Sequence, residues 1–317
     1  MSYPYPHRFA WSLAATLALA APACAGGGES GSASRGEGET DPEPAAPAGP
    51  DETPAAQAPR PTSAEAEPAA IGAAEPLPQA EEPGDPGCGA GMALVEGNYC
   101  LTPEQRCIEW QQILGAPVSR GYCLRFAEPV TCFDNRRRPM RYCMDRYEWP
   151  NRRGEKPRTL TSWQDARAMC AAAGKRLCTE EEFNFACEGE EMRVHVYGNA
   201  RDATQCNFDR PYRPREFVFT AWDTCQADPA CKAAFDGIDQ RLPAGSMETC
   251  RSRQGIFDLI GNVNEWVMIP DKRTPHRSGI KGGWWGPIRA RCRPTVTFHD
   301  EGDFGYEVGF RCCSDAR

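Results

Sequence analysis

The stretch KGGWWGPIRARCR, residues 281–293, gathers much of the chemistry that the C-terminal part of this chain can offer. Paired glycines precede Trp284 and Trp285, and one cysteine, Cys292, sits between arginines. That thiol could be a nucleophile or metal ligand in an aromatic-lined site, or half of a structural disulfide. Upstream, GIFDLIGNVNEWV (255–267) sets Asp258 and Glu265 around a Gly-Asn turn, among apolar residues that belong inside. Buried carboxylates need a partner. Two are open here: a hard cation such as Ca²⁺, which takes carboxylate and carbonyl oxygens, or an arginine. The histidines beyond the N-terminal segment, His195, His276 and His299, show no helical spacing with a carboxylate and read as scattered surface or turn residues. There is no Gly-x-Ser-x-Gly elbow for a hydrolase. No Cys-x-x-Cys occurs, which argues against a zinc finger or ribbon.

Any such site must be positioned by an exported, cysteine-stapled domain. Residues 1–24 have the form of a signal peptide: Arg8, then the thirteen-residue apolar run Phe9–Ala21, then small residues before Cys24. The run is too short to span a bilayer. Cys24 is a candidate for lipidation, although the usual Leu of a lipoprotein box is missing; a lipid anchor and free secretion both remain open. Residues 25–86 have thirteen acids against two arginines and no aromatic residue. Such a segment cannot bury enough apolar surface to offset its ordering entropy, so it is expected to be a disordered linker. It also holds more than the whole net charge of −8. Residues 87–317 are nearly neutral, which argues against nucleic acid as a partner. The chain has seventeen cysteines, and the sixteen beyond Cys24 all lie between Cys88 and Cys313. An even, dense set behind a signal peptide is the pattern of a disulfide framework in an oxidising compartment.

Glycine and proline recur throughout 87–317 outside two short helical stretches, so short strands and irregular chain are expected. The first helix is expected at about Trp163–Ala173, capped by Thr161 or Ser162 and closed by Gly174. The second begins at Thr179, whose Thr-x-x-Glu box with Glu182 is a start signal. Arg289, Arg291 and Arg293 alternate with Ile288, Ala290 and Cys292, which suits an edge strand with a charged outer face. Adjacent tryptophans cannot both face inward in an extended stretch. One of Trp284 and Trp285 is therefore expected in the core, the other in a ligand groove with Trp222 and Tyr306 as further candidates.

Six blocks occur in order: MDRYEWPN (144–151), LTSWQDARAMCAAAGKRLCTEEEFNFACEGE (160–190), YGNARDATQCNF (197–208), GIFDLIGNVNEWV (255–267), KGGWW (281–285) and VGFRCC (308–313). Together they resemble the sulfatase-modifying-factor family, the formylglycine-generating-enzyme type, over about residues 140–317. The resemblance implies an irregular α+β fold related to C-type lectins and rich in disulfides. It implies the pairs Cys170–Cys312 and Cys187–Cys292, which would make Cys292 a staple; each such long loop is worth on the order of 4–5 kcal/mol in the chain-entropy treatment. Cys313, on the opposite face of a strand from Cys312, is then expected to bond Cys178 or Cys143. The resemblance also implies calcium at Asp258, Gly261, Val263 and Glu265, and a second site beginning at Asn207 and Phe208. The later ligand of that second site would fall in 209–240, where the chain carries its own Cys225–Cys231 insertion, and is not placed.

Catalytic members of that family oxidise a substrate cysteine to formylglycine, using oxygen and a copper ion held by two thiolates. Those thiols lie between the Gly-Gly motif and the staple cysteine. Here that interval is WWGPIRAR and holds no cysteine, so copper is not expected. The chain is thus expected to be an exported, non-catalytic, calcium-stabilised module that binds a peptide or glycan outside the cytoplasm. The alternative is a metal-dependent oxidoreductase of the same fold with a divergent site.

Overall fold

A computed structural model describes residues 82–111, 122–287 and 290–317. The expectations for the signal peptide, Cys24 and nearly all of the linker lie outside these residues, as does that for Arg289. In chain order the elements are β1 (Met92–Cys100), β2 (Pro103–Glu104), β3 (Cys107–Trp110), β4 (Cys123–Phe126), β5 (Thr131–Cys132), β6 (Arg137–Asp145), α1 (Trp163–Ala172), β7 (Arg176–Leu177), α2 (Glu180–Glu188), α3 (Trp222–Ala227), α4 (Pro229–Ile238), β8 (Asn264–Met268), β9 (Ser278–Lys281), β10 (Val308–Phe310) and β11 (Cys312–Asp315). Short strands, helices and long irregular connections make this an α+β domain. No helix among the described residues is long and apolar enough to cross a membrane.

Two sheets carry the architecture. The first has the order β1-β6-β11-β7, with β1 and β6 antiparallel over nine residues, from Met92 opposite Asp145 to Cys100 opposite Arg137. The second has the order β10-β8-β9, in which β10 runs parallel to β8 and β9 antiparallel to it. β10 thus lies beside β8, 44 residues earlier, and β11 beside β6 and β7, more than a hundred residues earlier, which brings the GFRC segment to the turn at 258–265.

Local signals set both early helices. Ser162 caps α1, its hydroxyl accepting from Asp165 N, and Gly174 takes a left-handed φ of +70° past its end. Thr179 caps α2 in a reciprocal box with Glu182. Trp163, Ala166 and Cys170 turn inward from α1, while Phe183, Ala186 and Cys187 turn inward from α2. In the 209–240 insertion, α3 and α4 form around the Cys225–Cys231 disulfide, and Asp228 caps α4 with Pro229 in its first turn.

All sixteen cysteines among the described residues are in disulfides: Cys88–Cys143, Cys100–Cys132, Cys107–Cys123, Cys170–Cys312, Cys178–Cys313, Cys187–Cys292, Cys206–Cys250 and Cys225–Cys231. Cys312 and Cys313 leave β11 toward opposite faces and so staple it to α1 on one side and to the start of α2 on the other. Such a set requires an oxidising compartment and marks the domain as exported.

Two expectations are corrected. The folded part begins before residue 87: Glu82 accepts from the Tyr147 hydroxyl at 3.0 Å, and Asp85 accepts from Leu94 N at 2.9 Å and pairs with Arg146. Ordering entropy at the linker's end is offset by these specific polar contacts, which composition does not reveal. Residues 290–293 are not an edge strand either. Cys292 is pulled inward by its bond to Cys187, and its N donates to Val194 O. Arg293 therefore leaves the solvent, donating from Nε to Glu188 at 2.7 Å and from Nη2 to Cys100 O at 2.7 Å, with its guanidinium over the Tyr99 ring.

Candidate functional site

The Gly-Gly turn places the tryptophans. Gly282 and Gly283 have φ of +83° and +87°, and a Cβ on Gly282 would stand 2.9 Å from Leu259 O, so the turn accepts no larger residue without strain. From it Trp285 points inward among Leu160, Phe219, Phe235, Val263 and Tyr306. Trp284 is half-buried, edge-on to Trp285 at 5.2 Å and to Tyr306 at 5.6 Å. One tryptophan is core and the other reaches the surface. Trp222, at the start of α3, packs edge-on to Phe235 in the same cluster, with Arg158 and Arg241 over its ring. The insertion thus builds the wall behind Trp284 rather than a separate lobe.

Beneath this surface the turn at 258–265 is a buried ionic knot. Arg311 donates from Nε and Nη2 to the two oxygens of Glu265. Glu148, wholly buried just after β6, accepts from Asn262 Nδ2 at 2.8 Å and from Val263 N at 3.2 Å. Asp258 accepts from Gly245 N at 2.7 Å. Burial, followed by the negative charges of Asp258 and Glu265, pushes the Glu148 carboxyl well above its ordinary range. Burial likewise raises Asp258 from 3.8 to about 6. Three carboxylates here face one guanidinium, Arg311, so the turn is short of positive charge.

The sequence-derived calcium ligands divide accordingly. Asp258, Gly261 and Val263 lie on this turn. Asn207 is brought onto it as well, its carbonyl accepting from Asn262 N at 2.8 Å and its Nδ2 donating to Asn262 Oδ1 at 3.0 Å. A Cβ on Gly261 would come within 2.4 Å of Asn207 O. Phe208 is core. Among the described residues no three His, Cys, Asp or Glu side chains converge as a metal cluster. A cation here would therefore rest on Asp258 and backbone carbonyls, because Glu265 gives both oxygens to Arg311. Calcium fits the charge deficit and Asp258; Glu265 is better described as the partner of Arg311. Copper does not fit, since both thiolates it needs are missing from 284–291 and every described cysteine is oxidised.

Two buried groups have roles that spacing did not reveal. Lys281, immediately before the glycines, is 1% exposed and donates to Arg293 O at 2.7 Å and Thr295 Oγ1 at 3.0 Å. Burial lowers its amine from 10.5 to about 7. His195 has the expected turn setting but is not at the surface. It stands in a tight turn bridged to Gly198, but the ring is wholly buried, stacked on Tyr197 at 5.2 Å and edge-on to Phe126. Neither ring nitrogen has a hydrogen-bond partner, and burial drives its pKa down to about 3, so it is neutral. Its neighbour Phe126 comes from β4, far away in sequence, which no local pattern could show. His276 is exposed and pairs with Asp300, and the half-buried His299 pairs with Asp303.

Comparison with known proteins bears on the family of the chain. Residues 116–316 match the family described as the sulfatase-modifying factor enzyme 1-like domain. The chain is 30% identical over 170 residues to a Bos taurus protein called inactive C-alpha-formylglycine-generating enzyme 2, covering 51% of each. It is 25% identical over 184 residues to a Mus musculus formylglycine-generating enzyme, covering 51% of this chain and 45% of that one. It thus spans about half the length of the curated relatives it matches. Among solved structures, PvdO from Pseudomonas aeruginosa superposes with a TM-score of 0.45 at 15% identity, covering 74% of this chain and all of that one. With the matched segment running from before β4 to the end of β11, the chain belongs to the sulfatase-modifying factor enzyme 1-like domain family.

Proposed function

We propose that the protein is a non-catalytic member of this family, a calcium-stabilised module that binds an extracytoplasmic peptide or glycan at the surface around Trp284. One observation carries the reading: the sixteen cysteines of the described domain form eight disulfides, which leaves no thiol pair for copper. The resemblance to a relative named as inactive supports it. Calcium is assigned to Asp258 and the carbonyls of Gly261 and Val263, where it would supply the positive charge that the buried carboxylates lack. Trp284 offers an aromatic face against Tyr306, a surface suited to an extended chain or a sugar ring. The protein is exported either as a lipoprotein anchored through Cys24, with the residues between it and the domain as a tether, or in freely secreted form.

The test is a pair of assays on the purified full chain. Incubation with a cysteine-containing peptide, Cu(I) and oxygen is expected to give no formylglycine, and peptide and glycan arrays are expected to show saturable binding that Trp284→Ala weakens at least tenfold. Formylglycine formation would restore the alternative, an oxidoreductase with a divergent metal site.

A further inference from the structure

A cleft of about 530 Å³ lies just past the end of β6, beside a tight turn at residues 251–257. Its lining includes four arginines, Arg146, Arg193, Arg251 and Arg253, and no apolar side chain. Hydrogen bonds fix the turn. Ser252 N donates to Ile256 O at 2.8 Å, Gly255 N donates to Ser252 O at 3.0 Å, and Ile256 N donates to the Ser252 hydroxyl at 3.3 Å. The Cys206–Cys250 disulfide holds its base. Gly255 has a φ of +76°, and a Cβ there would stand 3.1 Å from Arg146 Nη1, so the glycine leaves that guanidinium its place in the wall.

Carboxylates border the cleft as well, and each is matched. Asp85 pairs with Arg146, and Glu248 pairs with Arg153 just outside the lining. Arg253 pairs with Glu191 at 2.9 Å. That leaves Arg193, whose Nη1 donates to Val196 O at 3.3 Å, and Arg251, whose guanidinium lies over the Phe257 ring at 5.6 Å. Among the described residues neither has a carboxylate at ion-pair distance, so the cleft holds a surplus of two guanidiniums. Gln254 Oε1 is sealed from solvent and offers the cleft no acceptor. The planar guanidinium fork matches the oxygens of sulfates and carboxylates. The volume falls within the range of ligand pockets, roughly 300–1,000 Å³, and far exceeds the ~30 Å³ of one water. An all-polar wall gives peptide side chains no apolar seat and suits the hydroxyl-dense backbone of a sugar chain.

We infer that this cleft binds an anionic glycan, with Arg193 and Arg251 receiving its sulfate or carboxylate groups. The cleft shares no residue with the aromatic cluster around Trp284, so the site is a second one, apart from the surface to which peptide or glycan binding is assigned above.

The experiment titrates the full protein by calorimetry with four hexamers: sulfated dextran, oligogalacturonate, plain dextran and hexa-aspartate. Saturable binding of at least one of the two anionic sugars is expected, and the tighter of them names the anion. Plain dextran and hexa-aspartate are expected to bind at least tenfold more weakly. Arg193→Gln and Arg251→Gln are each expected to lower affinity at least fivefold, and together at least twentyfold, with the circular dichroism spectrum unchanged. Arg138→Gln, at an exposed arginine elsewhere on β6, and Trp284→Ala are expected to leave affinity within twofold. No saturation with either anionic sugar, equal binding of plain dextran, or unchanged affinity in the double variant overturns the site. Equal or tighter binding of hexa-aspartate overturns the glycan assignment in favour of an acidic peptide. An equal loss in Arg138→Gln would mean unspecific charge attraction, and loss in Trp284→Ala alone would move the sugar to the other surface; either overturns the cleft. Array ligands that still depend on Trp284 in the double variant would show that the failure lies with this site and not with the module reading.

Discussion

Arg311 and Glu265 form a two-pronged ion pair at 2.7 and 2.6 Å, each side chain about 1% exposed. The pair joins the strand pairing of β8 and β10 to the irregular turn before it, and its arginine is the nearest positive charge to Glu148 and Asp258 as well. Removing one partner of a buried pair strands the other. Arg311→Met, which leaves three carboxylates facing one another, is expected to cost about 3–5 kcal/mol. Glu265→Gln should cost less, because Glu148 and Asp258 remain to balance the guanidinium. Urea unfolding of the two variants measures the difference.

Asp258 gives the turn a pH signature. Its folded pKa, raised from 3.8 to about 6 by burial, lies above the unfolded value, so the folded state binds the proton more tightly. That contribution to stability is full below about pH 3.8 and is lost as pH rises through about 6. Asp258→Asn is expected to flatten the slope in this window. Calcium is expected to raise Tm at pH 7.5 and to have no effect at pH 4, where the carboxyl is protonated, and EGTA should reverse the gain. Differential scanning calorimetry at the two pH values decides it.

Lys281 acts in the opposite sense and at higher pH. Its folded pKa, lowered from 10.5 to about 7, lies below the unfolded value, so the unfolded state binds the proton more tightly in between. Stability from this site should therefore rise as pH increases from about 7 toward 10.5. Lys281→Met keeps the stem, removes the titration and is expected to abolish that rise. Chemical denaturation at pH 7 and pH 9.5 gives the comparison.

The two tryptophans should separate cleanly. Trp285→Ala empties a core position and is expected to cost about 3–5 kcal/mol. Trp284→Ala, at the surface, should cost less than half as much while removing ligand binding. Thermal unfolding and array binding on the same preparations report both effects.

What could be read from the sequence follows the range of the interactions involved. The starts of α1 and α2 are written within four residues, in Ser162 with Asp165 and in Thr179 with Glu182, so the pattern alone reveals them. The start of α4 has a similar signal, Asp228 before Pro229, but the surrounding insertion reads as loop because its apolar residues join a cluster with Leu160, Val263, Trp285 and Tyr306, distant in the chain. Asp258 and Glu265 were visible as buried carboxylates in need of partners. Which partner each would take was not, since Glu148 meets Asn262 across 114 residues and Arg311 reaches Glu265 across 46. The pairing of Cys170 and Cys187 came from family resemblance, because spacing among sixteen cysteines leaves their connectivity open.

The central claim is that the copper thiols of the catalytic relatives are absent and that every cysteine of the described domain is a staple, and a thiol count tests it most directly. The folded full-length protein would be alkylated without reduction and weighed intact, with and without prior Cu(I), then digested to locate any label within 82–317. The expected result is no alkylated cysteine in that segment, and a Cys187–Cys292 cross-linked peptide in the non-reduced digest. Two alkylated cysteines in the segment, protected by Cu(I), would contradict the account and return the protein to the oxidases.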